Sequence, residues 1–326
     1  MSQLRAWDER WPIAGEFTTA HGAKTEAHVV VAEITADGVR GWGECTPYPR
    51  YGETPVGVLD DIERVRTAIE AGADRQALQR LLPPGAARNA LDCALWDLEA
   101  KRTGTPAWRL AGAARLHPVK TAYTISLGSI EEATDSARAA ASRPMLKLKL
   151  GGPDDLERVI AVRRAAPKTR LIVDANESLG LDDLERLAPE LAALGVLLIE
   201  QPLQAGEDAA LDGFHSPVPL CADETLHTRA ELGACVGRYD CVNIKLDKAG
   251  GLTEALALAV EARAGGLRIM VGSMVATSLA MAPALIVAQG ADFVDLDGPL
   301  LLERDREPGL SIIGSMLEPP TPELWG

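Results

Sequence analysis

The chain has 326 residues, of which 47% are hydrophobic and 25% charged, and its net charge is −14. That length is too great for one small core and points to a barrel with additions or to two domains. The acidic balance argues against nucleic acid and anionic membrane surfaces as partners, while leaving room for a locally cationic site.

The opening stretch MSQLRAWDERWPIAGE lacks the apolar centre of a secretion signal. The cysteines, Cys45, Cys93, Cys221, Cys235 and Cys241, are odd in number and contain no C-x-x-C spacing. They suit a reducing, cytoplasmic setting and give no disulfide framework. Residues 1–115 read as an α+β unit. EAHVVVAEITADGVRGWGE predicts a hairpin, with Val29, Val30, Val31 and Ile34 in one strand and Asp37-Gly38 at the turn. VGVLDDIERVRTAIEAG predicts an amphipathic helix. AARNALDCALWDLEAKRTG predicts another, with Leu91, Ala94, Leu95 and Leu98 on one stripe and Gly104 as its stop.

From residue 116 to 300 the pattern changes to short apolar strands alternating with Ala/Leu/Arg-rich helices. The strands are VKTAYTI, MLKLKL, RLIVDA, VLLIE, PLCAD, CVNIKL, LRIMVGS and DFVDLD. Eight such units predict an α/β fold, a modified (β/α)8 TIM barrel. Residues 1–115 then form an α+β capping domain, completed by a C-terminal segment, 301–326, that packs back on it. The longest apolar run, MVATSLAMAPALIVA from Met274, is interrupted by Thr277, Ser278 and Pro283. It is too short to span a bilayer and reads as a buried helix.

A polar residue recurs at the C-terminal end of successive strands: Lys149, Asp174, Glu200, Asp223, Lys245, Ser273 and Asp295, at intervals of 22 to 28 residues. One βα unit has about that length, so all seven are expected at the one barrel mouth where such folds carry their sites. Asp174, Glu200 and Asp223 come from adjacent strands, and three crowded anions call for a cation. An all-oxygen donor set suits Mg²⁺ better than zinc. In MLKLKLGG, Leu146, Leu148 and Leu150 point one way, and Lys147 and Lys149 the other. Lys149 and Lys245 end strands that lie opposite each other in an eight-stranded ring, with Lys147 beside Lys149. Two opposed amines beside a divalent cation fit removal of a proton α to a carboxylate and its return from the other face. Burial, the cation and the lysine neighbour are expected to lower the pKa of these bases.

These motifs, namely K-x-K at Lys147 and Lys149, VDANE with Asp174 and Asn176, IEQPL with Glu200, CADET with Asp223 and Glu224, and NIKLDKAGGLTEAL with Lys245, resemble the enolase superfamily in its muconate-cycloisomerase-like branch. GWGECTPYPRYGET, the helix ALDCALWDLEAK and DLDGP are similar to the dipeptide epimerase group of that branch. The resemblance covers essentially the whole chain. It implies Mg²⁺ on Asp174, Glu200 and Asp223, and Lys149 and Lys245 as the acid/base pair, with Lys147 assisting electrostatically. It implies epimerisation of the C-terminal residue of a small L-Ala-D/L-Glu-type dipeptide through a metal-stabilised enediolate, in cell-wall peptide recycling, by a cytoplasmic homo-oligomer. On the same basis Asp295 and Asp297 hold the substrate ammonium. Thr124, Ser273, Met274, Tyr48, Tyr51 and Thr19 line the substrate region. Lys24 in HGAKTEAH stands where the group is expected to have an arginine that grips an acidic side chain, so the charge is kept and the bidentate fork lost. Competing readings are muconate cycloisomerisation or o-succinylbenzoate synthesis on the same site, whose substrates carry no ammonium, and a barrel that only binds a ligand.

Overall fold

A computed structural model describes residues 2–326. The N-terminal layer is an antiparallel sheet of β1 (Gln3–Thr19), β2 (Gly22–Ala36) and β3 (Val39–Cys45). The β2–β3 turn is the expected Asp37-Gly38, with both residues at positive φ, 54° and 78°. Such a turn twists with the strands it joins. β1 carries no strand signal in its sequence, because only Leu4 and Ile13 of its residues are buried and no alternation shows.

Against this sheet lie α1 (Pro55–Glu70), α2 (Arg75–Leu81) and α3 (Ala86–Thr103). Thr54 caps α1 by accepting from the Gly57 N–H, and Val58, Ile62, Val65 and Ile69 form its buried stripe. Helix α3 crosses β3 at the glycines of GWG. A Cβ at Gly41 would lie 2.3 Å from the Leu98 nitrogen, and one at Gly43 2.4 Å from the Ala90 oxygen. Only glycine permits that backbone approach.

The second body is an eight-stranded parallel sheet. Its strands are β5 (Tyr123–Ile125), β6 (Met145–Lys149), β7 (Arg170–Asp174), β8 (Val196–Glu200), β9 (Leu220–Ala222), β10 (Cys241–Ile244), β11 (Arg268–Gly272) and β12 (Phe293–Asp295), hydrogen-bonded in sequence order. The β12–β5 seam is bridged by the Ala122 N–H to the Val294 oxygen, 2.8 Å, and the Leu296 N–H to Thr121 Oγ1, 2.8 Å. VKTAYTI, read as one strand, divides in two. Val119–Lys120 forms β4, which pairs with tail residues Met316 and Leu317 rather than with the barrel. The exposed Lys120 can face water there, whereas Thr121 is drawn into the seam.

Side chains inside the barrel change character with height. At the bottom, Ala122, Met145, Ile172, Leu198, Cys221, Cys241, Met270 and Phe293 form a closed apolar plug. Two residues further along the same strands stand Lys147, Asp174, Glu200, Asp223, Asn243 and Asp295. The period of two puts both sets on one face, so the plug is a dry floor under a charged layer. The tail lies along the first layer: the Gly326 N–H donates to Asp97 Oδ1, 2.7 Å, and Arg306 pairs with Glu9 and Glu44. The apolar run forms a buried helix at Ser278–Ala288. Among the described residues no helix is long and apolar enough to cross a membrane.

Asp92 on α3 is fully buried and accepts from the Thr253 N–H and hydroxyl at 2.9 and 2.7 Å. Burial pushes its carboxyl from 3.8 up to about 6. A raised acid binds its proton more tightly in the folded state. Its protonated form therefore carries no penalty below about pH 4, and stability is lost as pH rises towards 6, by on the order of 3 kcal/mol. Asp92→Asn is expected to flatten that part of a denaturation series between pH 4 and 7. Identical slopes in the two proteins would contradict the assignment.

Candidate active site

Lys149, Asp174 and Glu200 pair in register across β6, β7 and β8, which sets their side chains level on the inner face. Lys147 is 1%, Lys149 6% and Lys245 7% exposed. The lysine face of β6 is thus the barrel interior, not a wet edge. Strand β10 is four positions from β6 in either direction round the ring of eight, so Lys149 and Lys245 approach from opposite walls. Lys149 Nζ donates to Asp174 Oδ2 at 2.6 Å, and Lys245 Nζ to Asp223 Oδ2 at 2.6 Å.

Lys147 lies 3.0 Å from Asp174, 2.7 Å from Glu200 and 2.7 Å from Asp295. It is the shared counterion of three acids. Burial is the largest single influence on Lys147 and on Lys245 and does lower their pKa. The facing carboxylates outweigh it, Asp174, Asp295 and Glu200 for Lys147 and chiefly Asp223 for Lys245, and hold both well above the usual ammonium value.

The acids divide unequally. Burial raises the pKa of Asp174, but Lys147 and Lys149 outweigh it and bring the net value down to about 2. Asp223 is likewise held well below the usual range, by Lys245 and Lys248 against burial. Glu200 is the acid left over: burial and then the charge of Asp174 push it up to about 8. Its Oε2 is buried without a hydrogen bond, although Lys147 Nζ is 2.7 Å away, and its Oε1 accepts from Asn243 Nδ2 at 2.8 Å. A buried carboxyl whose ionised form is short of compensation, beside two other carboxylates, completes an oxygen donor set suited to a hard divalent cation. The oxygens of Asp174, Glu200 and Asp223 do not all come within 4.8 Å of one another; lysine ammonium groups stand among them.

Above this layer is a cavity of about 250 Å³. Its barrel wall includes Thr124, Lys147, Lys149, Asn176, Asp223, Glu224, Lys245, Ser273, Met274, Asp295 and Asp297. Its roof is the N-terminal layer, with Thr19, His21 and Lys24 from the end of the β1–β2 hairpin and Thr46, Tyr48 and Tyr51 from the loop after β3. Asp174 and Glu200, the floor acids, are fully buried and do not themselves line the cavity; they meet it through Lys147. Lys24 Nζ stands 4.8 Å from the Tyr48 ring centre. The residue as a whole is exposed at the rim, yet crowding about its ammonium lowers its pKa. Asp297 lies just past β12, and its Oδ2 accepts from the Thr124 N–H at 2.6 Å across the seam. Burial, then the neighbouring Asp295, pushes Asp297 up to about 7. Asp295 Oδ1 is buried without a hydrogen-bond partner. Ser273 Oγ donates to the Asp295 carbonyl at 3.4 Å.

Strand phase did not reveal every member of the site. Lys248, 1% exposed, donates to Asp223 Oδ1 at 2.6 Å and to the Asn243 carbonyl at 3.1 Å. It follows Lys245 by three residues in NIKLDKAGG, and the helical turn Leu246–Ala249 swings it back under Asp223. A helical spacing of three was the available signal. The cross-barrel partners Asn243–Glu200 and Asn176–Glu224 had no signal outside the fold.

Residues 129–310 match the family model described as enolase C-terminal domain-like, and residues 1–112 match the N-terminal domain of mandelate racemase / muconate lactonizing enzyme. An L-Ala-D/L-Glu epimerase of Escherichia coli (strain K12) is 48% identical over 312 residues, 95% of this chain and 97% of that protein. An N-acetyl-D-glutamate racemase of a Pseudoalteromonas species is 43% identical over 300 residues, 91% and 95% of the two chains. A crystal structure of an enolase family member from Agrobacterium tumefaciens, with homology to dipeptide epimerases and with bound sodium, L-Ala-L-Glu and an ordered loop, superposes with a TM-score of 0.99. It is 51% identical, and the match covers 100% of both chains.

Proposed function

Because the chain belongs to the mandelate racemase / muconate lactonizing enzyme family, with an enolase-like C-terminal domain, we propose that it is a dipeptide epimerase that inverts the α-carbon of the C-terminal residue. One observation carries this reading: two buried lysines on opposite walls of one small cavity, each hydrogen-bonded to an acid of the same charged layer. Asp174, Glu200 and Asp223 are the residues that would hold Mg²⁺, which when bound supplies positive charge to the substrate carboxylate.

Lys149 takes the α-proton from one epimer and Lys245 from the other, and the lysine on the far side returns a proton to give inversion. Lys147 balances the charge of the floor acids. The apolar plug and the capping roof keep bulk water from the reacting carbon, so these charges act in a low-dielectric space. The unpartnered Asp295 oxygen and Asp297 face the position of the substrate amine, and the Thr124 N–H fixes Asp297. Lys24 offers a single ammonium to an acidic C-terminal side chain, so L-Ala-D/L-Glu-type peptides from cell-wall turnover are the favoured substrates. The five cysteines are all free and buried, which suits a cytoplasmic enzyme.

A second reading, racemisation of an N-acyl amino acid, is favoured by the Pseudoalteromonas relative and by the hold of Lys147 on Asp295. Asp297→Asn separates the two. Removing one charge from a buried ammonium–carboxylate pair costs at least about 30-fold. Turnover of L-Ala-L-Glu is therefore expected to drop by that factor in kcat/KM. An enzyme for N-acetylglutamate has no ammonium to lose. Unchanged kcat/KM on the dipeptide, or wild-type turnover of N-acetylglutamate alone, would overturn the dipeptide reading.

A further inference from the structure

Glu177 follows the floor acid Asp174 by three residues and takes no part in the chemistry above. It and Asn176 have left-handed backbones, with φ of 67° and 43°. Non-glycine residues seldom adopt that conformation unless their surroundings hold them in it. The turn points the Glu177 carboxylate upward from the barrel rim, where segments from both domains meet it. Arg50, in the loop after β3, donates to it through Nε and a terminal nitrogen at 2.8 and 2.7 Å. His21, in the β1–β2 turn, places Nε2 at 3.4 Å. The Ala205 N–H, in the loop after β8, donates at 2.8 Å. The Glu177 side chain is only 4% exposed. His21, Glu177 and Glu224 offer atoms within 4.8 Å of one another, the spacing of a metal cage. Arg50 already occupies both Glu177 oxygens, so this cluster is a clasp between chain segments rather than an ion site.

The two clasped segments carry the capping domain's share of the substrate cavity. One holds Thr19 and Lys24, the other Tyr48 and Tyr51. Neither carries a lysine or an acid of the reaction layer. We propose that Glu177 is a positioning residue that, through Arg50 and His21, holds both loops closed over the barrel mouth and thereby sets the fit to the substrate's C-terminal side chain. The effect on the substrate rests on the dipeptide reading; the effect on the loops does not.

Two measurements test the two halves. Hydrogen exchange on the free protein is read at residues 17–25 and 46–53. Glu177→Gln keeps the shape and removes the charge, and is expected to speed exchange about tenfold in both segments. Arg50→Ala, a surface change that leaves the core intact, is expected to speed it in 46–53 alone. Unchanged exchange in either segment of Glu177→Gln overturns the clasp, whatever the enzyme's substrate. In turnover of L-Ala-L-Glu, both variants are expected to raise KM about tenfold and to change kcat less than about threefold, because the loops touch substrate and not the migrating proton. Arg50→Lys, which keeps the charge, should recover part of that loss. A fall in kcat with KM unchanged would assign Glu177 to the floor chemistry and overturn the proposal. Wild-type protein inactive on every dipeptide would count against the proposed function, while the exchange data would still decide the clasp.

Discussion

Replacing Lys245 with methionine is expected to lower epimerisation about 1,000-fold while leaving half of the proton chemistry intact. The magnitude follows from the usual worth of a positioned acid/base group. The asymmetry follows from topology. Lys245 extends from the end of β10 and Lys149 from β6, on opposite walls. A given epimer therefore presents its α-hydrogen to one of them only. With Lys245 gone, Lys149 still takes and returns the proton on its own side. In deuterated water, one epimer should gain deuterium at the α-carbon without inverting, and the other should stay protonated. Lys149→Met should show the mirror pattern. Methionine keeps most of the buried length of the chain, so the folded state is expected to persist, as circular dichroism would check. Equal loss of exchange from both epimers in a folded Lys245→Met protein would contradict the two-base account.

Changing Glu200 to Gln is expected to weaken Mg²⁺ binding at least 100-fold, measured by calorimetry on the free protein. Three carboxylates, each nearly or fully buried, lie in one layer with Lys147, Lys149, Lys245 and Lys248 as their neighbouring cations. Glu200 is the least compensated, so it gains most from a divalent ion and its loss removes most of the site's affinity. Chelation should bring wild-type epimerisation to background, and added Mg²⁺ should restore it. Mg²⁺ should also raise the wild-type melting temperature, and do so far less in the variant. Undiminished affinity in Glu200→Gln would remove Glu200 from the ligand set.

The barrel was legible because its strands are short, apolar and punctuated by polar residues at near-constant intervals. That regularity is a direct imprint of the βα repeat, and all eight barrel strands lie within the segments it marks. Period-two alternation set the lysines of MLKLKL on one face, and closure of the barrel, which leaves no edge, turned that face inward. β1 was not legible, because half-exposed tryptophans, Asp8, Glu9 and Pro12 mask any period in a strand supported on one side by β2. The seam was not legible either. Thr121 and Thr124 serve it through one hydroxyl and one N–H, a role that depends on where the last strand arrives. Lys248 is out of strand phase, since it reaches the floor from a helical turn. The Glu177 clasp joins residues 21, 50, 177 and 205, and nothing local to any of them announces the other three. Spacing identified which charges would meet, but not that three acids would face Lys147 while Lys149 and Lys245 each pair with one.

Proton nuclear magnetic resonance of wild-type enzyme with Mg²⁺ in deuterated water, started separately from L-Ala-L-Glu and L-Ala-D-Glu, tests the central claim most directly. The account predicts that each isomer turns into the other, and that every inverted molecule carries deuterium at the glutamate α-carbon and none at the alanine. Inversion that retained the original hydrogen, or no deuterium entering either dipeptide, would contradict it.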